Sequence, residues 1–179
     1  MILRPFRRSA DNRTIASFYG TIVAQARLPV FYAAYGVPDT VQGRFDLIVL
    51  HLVLLLRRLA KTTAGPALGQ RLFDRFCGDL DDNLREMGIG DLAVPKHMRR
   101  FGEAFYGRQA AYLAALDAPD ERDFENALAR NILAEAANGK AGCLARYART
   151  AVRALDAQQE DELLRGRVAF PSPEAFADG

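Results

Sequence analysis

The chain is poor in the residues from which small catalytic and metal sites are built, with two cysteines and two histidines among 179 residues. Neither Cys77 nor Cys143 has a second cysteine or a histidine at ligand spacing, so no zinc site or CxxC redox pair can be assembled. Both thiols are expected to be buried and reduced. His51 and His97 are distant in sequence, and no Walker A, GxGxxG, HExxH or GxSxG pattern occurs. With no nucleophile and base to pair, an enzyme is the least favoured class, and no cofactor or metal is expected. Lysine occurs only at Lys61, Lys96 and Lys140, so arginine carries most of the positive charge. A balance of 24 basic against 22 acidic residues gives no case for a DNA-binding protein. Also missing is an apolar run of the ~20 residues a bilayer crossing needs. The opening MILRPFRRSADN contains no signal-peptide core, so a cytoplasmic protein is expected, with peripheral contact at the inner membrane left open. No segment alternates convincingly with a period of two, so strands are not expected.

What is present is helical periodicity and one unusually apolar segment. From Leu47 to Leu56 every residue except His51 is a large aliphatic, with Asp46 before the run and Arg57 and Arg58 after it. A helix apolar all round is a membrane span or the centre of a core, and this one is too short for a span. The spacing predicts a central helix over 39–61, begun by a capping box of Asp39 and Gln42. Gly43 inside it suits a close approach. Arg44, His51 and Arg58 recur every seven residues and share one stripe. That stripe faces solvent or neighbouring carboxylates on one reading, and forms the cationic edge of a binding groove on the other.

The remaining pattern is that of an all-α domain of about seven helices. Residues 1–11 read as a flexible basic arm carrying Arg4, Arg7 and Arg8, residues 12–157 as the helical domain, and residues 158–179 as a turn and an extended tail. Ile15, Phe18, Tyr19, Ile22, Val23 and Ala26 mark a one-sided helix over 12–27. PVFYAAYG follows as a short helix with Gly36 as its left-handed stop. Its Phe31, Tyr32 and Tyr35 are either core or the aromatic wall of a partner pocket. A long helix over 67–87 ends at Gly88, and GIGDLAVP makes a glycine-broken connection to a helix begun by Pro95. Asp120 caps the next helix, which Asn138-Gly139 should stop, and a last clear one carries Leu144, Tyr147 and Leu155. Asp79, Asp82, Asn83 and Glu86 share a helix face and invite a divalent-ion reading. The second carboxylate helix that a di-iron site requires is missing.

Two stretches, QARLPVFYAAYGVPDTVQGRFDLIVLHLVLLLRRL (25–59) and DLDDNLREMGIGDLAVPKHMRRFGEAFYGR (79–108), resemble the ubiquinol-cytochrome c chaperone family. Its mitochondrial members assist assembly of the cytochrome bc1 complex of the respiratory chain. The resemblance implies an assembly factor that binds nascent cytochrome b, a membrane-protein client, and holds it competent for haem insertion. The relatives also imply contacts with the ribosome and with a small partner protein. The family motifs fall on Tyr32, Pro38, Asp39, Arg44, Phe45, Asp46, His51, Asp81, Asn83, Arg85, Gly88, Gly90, Asp91 and the run Phe105-Tyr106-Gly107-Arg108. Together with the aromatic helix and the arginine stripe, they give the expected partner-binding set: Phe31, Tyr32, Tyr35, Arg44, Asp46, His51, Arg58, Asp81, Asn83, Arg85, Gly88, Gly90, Asp91, Tyr106 and Arg108. A client made of apolar helices calls for an apolar groove with a charged rim, placed here between the short aromatic helix and the loop after Met87. The competing readings are a haem-binding or other small-ligand helical protein using His51 or His97, and a ribosome contact through Arg4, Arg7, Arg8, Lys96, Arg99 and Arg100.

Overall fold

Apolar residues three and four apart make most long segments of this chain one-sided helices, and the segment that is apolar all round becomes the surface they share. The computed structural model describes residues 4–133 and 140–176. The helices in order are α1 (Arg4–Ala26), α2 (Val30–Ala33), α3 (Val41–Leu59), α4 (Gly65–Glu86), α5 (Val94–Asp117), α6 (Glu121–Ile132), α7 (Ala141–Ala157) and α8 (Glu160–Leu164). A 3-10 turn follows at Pro173–Phe176. No strand occurs among the described residues. The fold is all-α, as expected, with α3 at the centre of one core.

Helix α3 packs against α1, α4, α6 and α7. Leu47, Val49, Leu50, Leu52, Val53, Leu54, Leu55 and Leu59 are all buried. Each such side chain contributes roughly 1.5–3 kcal/mol of transfer free energy, so losing α3 would remove what most of its neighbours pack on. Its cap is Thr40, whose hydroxyl oxygen accepts from the Gly43 backbone N–H at 3.1 Å. Asp39 does not take the capping role expected of it, because its carboxylate pairs with Arg44. Gln42 donates to Asp46 at 2.8 Å instead of closing a capping box. Gly43 is required by local geometry rather than by a helix crossing, since a Cβ there would lie 2.0 Å from the Pro38 carbonyl oxygen.

Pair contacts set the directions. Phe45 stacks on Phe76 and a Cβ at Gly69 would touch Leu56, so α3 and α4 run antiparallel. Asp11 pairs with Arg71 while the Tyr19 ring meets Phe76, so α1 and α4 run parallel. Phe76 meets Phe101 and Phe73 meets Phe105, which makes α4 and α5 an antiparallel hairpin. The carboxyl ends of α1 and α4, the short helix α2, the start of α3 and the α4–α5 loop therefore lie at one end of the bundle.

Three boundaries differ from expectation. Helix α1 begins at Arg4, well before Asn12, so residues 4–11 are its opening turns; the side chains of Arg4, Arg7 and Arg8 lie outside the described part. The expected stop at Asn138-Gly139 also lies outside the described residues, and α6 ends at Ile132. The segment after α8 is extended, as its sequence suggests, but it is strapped to the core rather than trailing from it. Ser17 donates to the Gly166 carbonyl at 2.7 Å, Gln25 to Pro171 at 3.0 Å and Tyr35 to Pro173 at 2.5 Å. The Gln158 side chain holds both the N–H and the C=O of Ala169.

Candidate functional site

The described surface exposes few large apolar side chains, and three of them stand on the elements of the bundle end just defined. Val41 opens α3 with 81% of its surface exposed, Met87 closes α4 with 64%, and Leu92 stands in the α4–α5 loop with 99%. The sequence does not single out Val41 or Leu92, and the helical spacing puts Met87 on the inner stripe of its helix, where the structure leaves it exposed. The available signal was weak: each stands at a helix end or in a loop, where the 3.6-residue period no longer says which way an apolar residue faces. The fourth, Tyr106, lies along α5 beside Phe73 and Phe105.

Around these residues the chain builds a polar rim. Gly36, with a φ of 73°, lets the backbone leave α2 and turn into α3, which brings Tyr32 beside the first turn of α3. The Tyr32 hydroxyl donates to the Ala26 carbonyl at 2.6 Å. Arg44 lies 5.9 Å from the centre of the Tyr32 ring and pairs with Asp39 at 2.7 Å. Together with Arg27, Pro29 and Ala33 they line an open cleft of about 600 Å³. On the other side, Gly88 at a φ of 81° ends α4, with the Ile89 N–H donating to the Leu84 carbonyl at 3.1 Å. Arg85 bridges Asp81 and Asp91, fixing the loop that contains Gly88 and Gly90. Asn83 is exposed and donates to the Asp79 carbonyl, while Asp79 pairs with Arg75; both are engaged within their own helix.

The expected partner-binding set therefore divides. Tyr32 and Arg44 meet beside α2, Arg85 joins Asp81 and Asp91 at the α4–α5 loop, and these residues with Asn83, Gly88 and Gly90 keep contact with solvent as two separate clusters. Phe31 and Tyr35 are fully buried, so the core use of the aromatic helix is the one realised. The arginine stripe is neither a solvent face nor a groove edge along its length: only Arg44 is exposed, because the C-terminal part of the chain covers the rest. Arg58 is buried and donates to the Leu155 and Gln158 carbonyls at 2.9 Å each.

His51 is fully buried and both ring nitrogens are occupied. Nδ1 lies 2.7 Å from the Leu47 carbonyl oxygen, which can only accept, so Nδ1 carries the proton. Nε2 therefore accepts from the Tyr147 hydroxyl at 2.7 Å, and that oxygen in turn accepts from Gln25 at 3.0 Å. Burial pushes the His51 pKa down to about 4, with the Leu47 bond pulling the other way. The ring is neutral at neutral pH, and no nitrogen is available as a haem ligand. His97 lies exposed at the start of α5.

Asp46 and Arg108 form a second buried polar feature, a 2.7 Å ion pair joining α3 to α5. Burial pushes the Asp46 carboxyl above the usual carboxylate range although Arg108 acts in the opposite sense. Nearby, the Tyr112 hydroxyl is buried without a hydrogen-bond partner, and its pKa is raised by that burial. These groups join helices, with Arg108 partly exposed and Asp46 buried beneath it.

The sequence model of the ubiquinol-cytochrome C chaperone family matches residues 33–170. The chain belongs to that family. Its fold is similar to that in the crystal structure of the Cbp3 homolog from Brucella abortus, at 38% identity and a TM-score of 0.86, over 97% of this chain and 98% of the other. A match of that extent includes α1, all of which lies before the residues matched by the family. Comparison with curated proteins gives no match. The α2–α3 turn, the Arg85 bridge and the Gly88 stop lie within 33–170, whereas Arg27, Pro29 and Tyr32 of the cleft precede it. No described helix is long and apolar enough to cross a membrane.

Proposed function

We propose that this family member is an assembly chaperone of the cytochrome bc1 complex, whose client is newly made cytochrome b held competent for haem insertion. Membership of the ubiquinol-cytochrome C chaperone family, backed by near full-length similarity to a Cbp3 homolog, is the observation that carries this reading. The work is binding rather than catalysis. The client surface runs from Tyr32 and Val41 across the bundle end to Met87 and the Asn83–Asp91 loop. Its apolar residues supply burial, while Arg44–Asp39 and Arg85–Asp91 supply a charged rim that favours one orientation.

A crosslinking scan tests the surface. Photoreactive residues at Tyr32, Arg85 and Asp91 should capture nascent cytochrome b, and capture only from distant positions such as Arg122 would place the client elsewhere. Deletion of the protein tests the role: selective loss of the bc1 cytochrome spectrum is expected, and normal spectra would remove the proposal.

A further inference from the structure

The α4–α5 loop carries a second kind of surface, distinct from the rim beside α2. Leu92 is 99% exposed, so no neighbouring side chain forms a wall around it and it projects from a convex tip. The first turns of α5 follow at once and carry Lys96, Arg99 and Arg100, all exposed. Lys96 and Arg100 form no ion pair among the described residues, and Arg99 reaches Glu103 only at 3.9 Å. Helix α5 has no acidic residue in its first turn, and the residue at its cap, Ala93, offers no side-chain acceptor to the free N–H groups. Positive charge at the positive end of a helix dipole is unfavourable, so Lys96 in the first turn does not serve the helix that carries it. Asp91, the acidic residue nearest the tip, is held in the Arg85 bridge, and the exposed Asp82 and Glu86 belong to the opposite arm of the hairpin.

We propose that this tip docks on an anionic lipid bilayer, with Leu92 entering the acyl boundary and Lys96, Arg99 and Arg100 lying among the headgroup phosphates. An acyl layer accepts a single protruding side chain without a groove, whereas an apolar helix of a protein partner must find concave walls to bury comparable area. Lys96 and Arg100 are one turn apart on α5, about 6 Å along the axis, so both reach the same headgroup level. The inference concerns lipid alone and stands independently of cytochrome b as client.

Flotation of the full chain with vesicles tests it. The protein should float with phosphatidylcholine vesicles containing phosphatidylglycerol, should not float with phosphatidylcholine alone, and should be released as salt is raised. Leu92→Glu and the double variant Lys96→Glu/Arg100→Glu should each weaken partitioning by about tenfold or more. Arg122→Glu/Arg130→Glu makes the same change in net charge on α6 and should leave partitioning unaltered. The chain contains no tryptophan, so Leu92→Trp supplies a single indole, excited apart from the tyrosines, whose emission should shift to the blue on anionic vesicles only. No flotation, equal flotation with neutral vesicles, or equal loss in the α6 variant would overturn the proposal. It would also fall if vesicles were ignored while Leu92→Glu abolished crosslinking to cytochrome b, since the tip would then be a client contact.

Discussion

The Tyr147 hydroxyl donates to Nε2 of His51 across 2.7 Å, joining two residues that are 96 positions apart in sequence. The bond is one link of a directed chain. Gln25 of α1 donates both to Tyr147 and to the Pro171 carbonyl, and His51 donates back to Leu47. Through it, α1, α3, α7 and the C-terminal strap share one polar network, buried at His51 and Tyr147 and half-buried at Gln25, with the Phe31 and Phe170 rings packed edge-on to the imidazole.

Removing the donor strands the acceptor. Tyr147→Phe should lower stability by about 1–3 kcal/mol, the cost of leaving His51 Nε2 buried and unpaired. Urea denaturation would measure it. Combining Tyr147→Phe with His51→Leu should lose less than the sum of the single changes, because neither polar group is then stranded.

The same histidine makes the fold acid-sensitive. Its pKa is about 4 in the folded chain and near 6.5 when unfolded, so between these values the unfolded state binds the extra proton. The His51 contribution is therefore fully present above pH 6.5 and declines as pH falls toward 4, by at most about 3 kcal/mol. Stability measured between pH 7 and 4 should fall with a slope that is reduced in His51→Gln.

The Asp46–Arg108 pair should show the asymmetry of buried ion pairs. Arg108→Met leaves the buried Asp46 carboxylate with Gln42 as its remaining side-chain donor and should cost about 2–4 kcal/mol. Asp46→Leu/Arg108→Met should recover most of that loss, which thermal melts of the two variants would show.

Two glycines should respond in opposite directions. Gly43→Ala places a methyl group on the Pro38 carbonyl and should destabilise by about 1–3 kcal/mol despite alanine's higher helix propensity. Gly78→Ala, in α4 with nothing within 4 Å of the new methyl, should stabilise by about 0.5–1 kcal/mol. Denaturation midpoints of the two variants check the signs.

Truncation after Arg167 should cost at least about 3 kcal/mol. It uncovers the Phe170 and Phe176 packing sites and leaves Tyr35 without its Pro173 acceptor. A lowered melting temperature with helicity retained is the expected result.

Local chemistry determined what the sequence displays directly. The run Leu47–Leu56 could only be a buried helix, and the spacing of Leu68, Leu72, Phe76 and Leu84 gave α4 its inner face. Gly36 and Gly88 took the left-handed conformations their positions required, and the family stretches over 25–59 and 79–108 were readable because they are contiguous. Tertiary structure decided which neighbour covers each face. A seven-residue recurrence puts Arg44, His51 and Arg58 on one side of α3, but only the arrival of α7 and the strap, about a hundred residues later, buries the last two and leaves the first exposed. The same holds for Phe31 and Tyr35 against Tyr32, and for Val41, Met87 and Leu92. Hydrophobicity drives burial without direction, so a helical period identifies an apolar residue's face but not whether the chain returns to cover it.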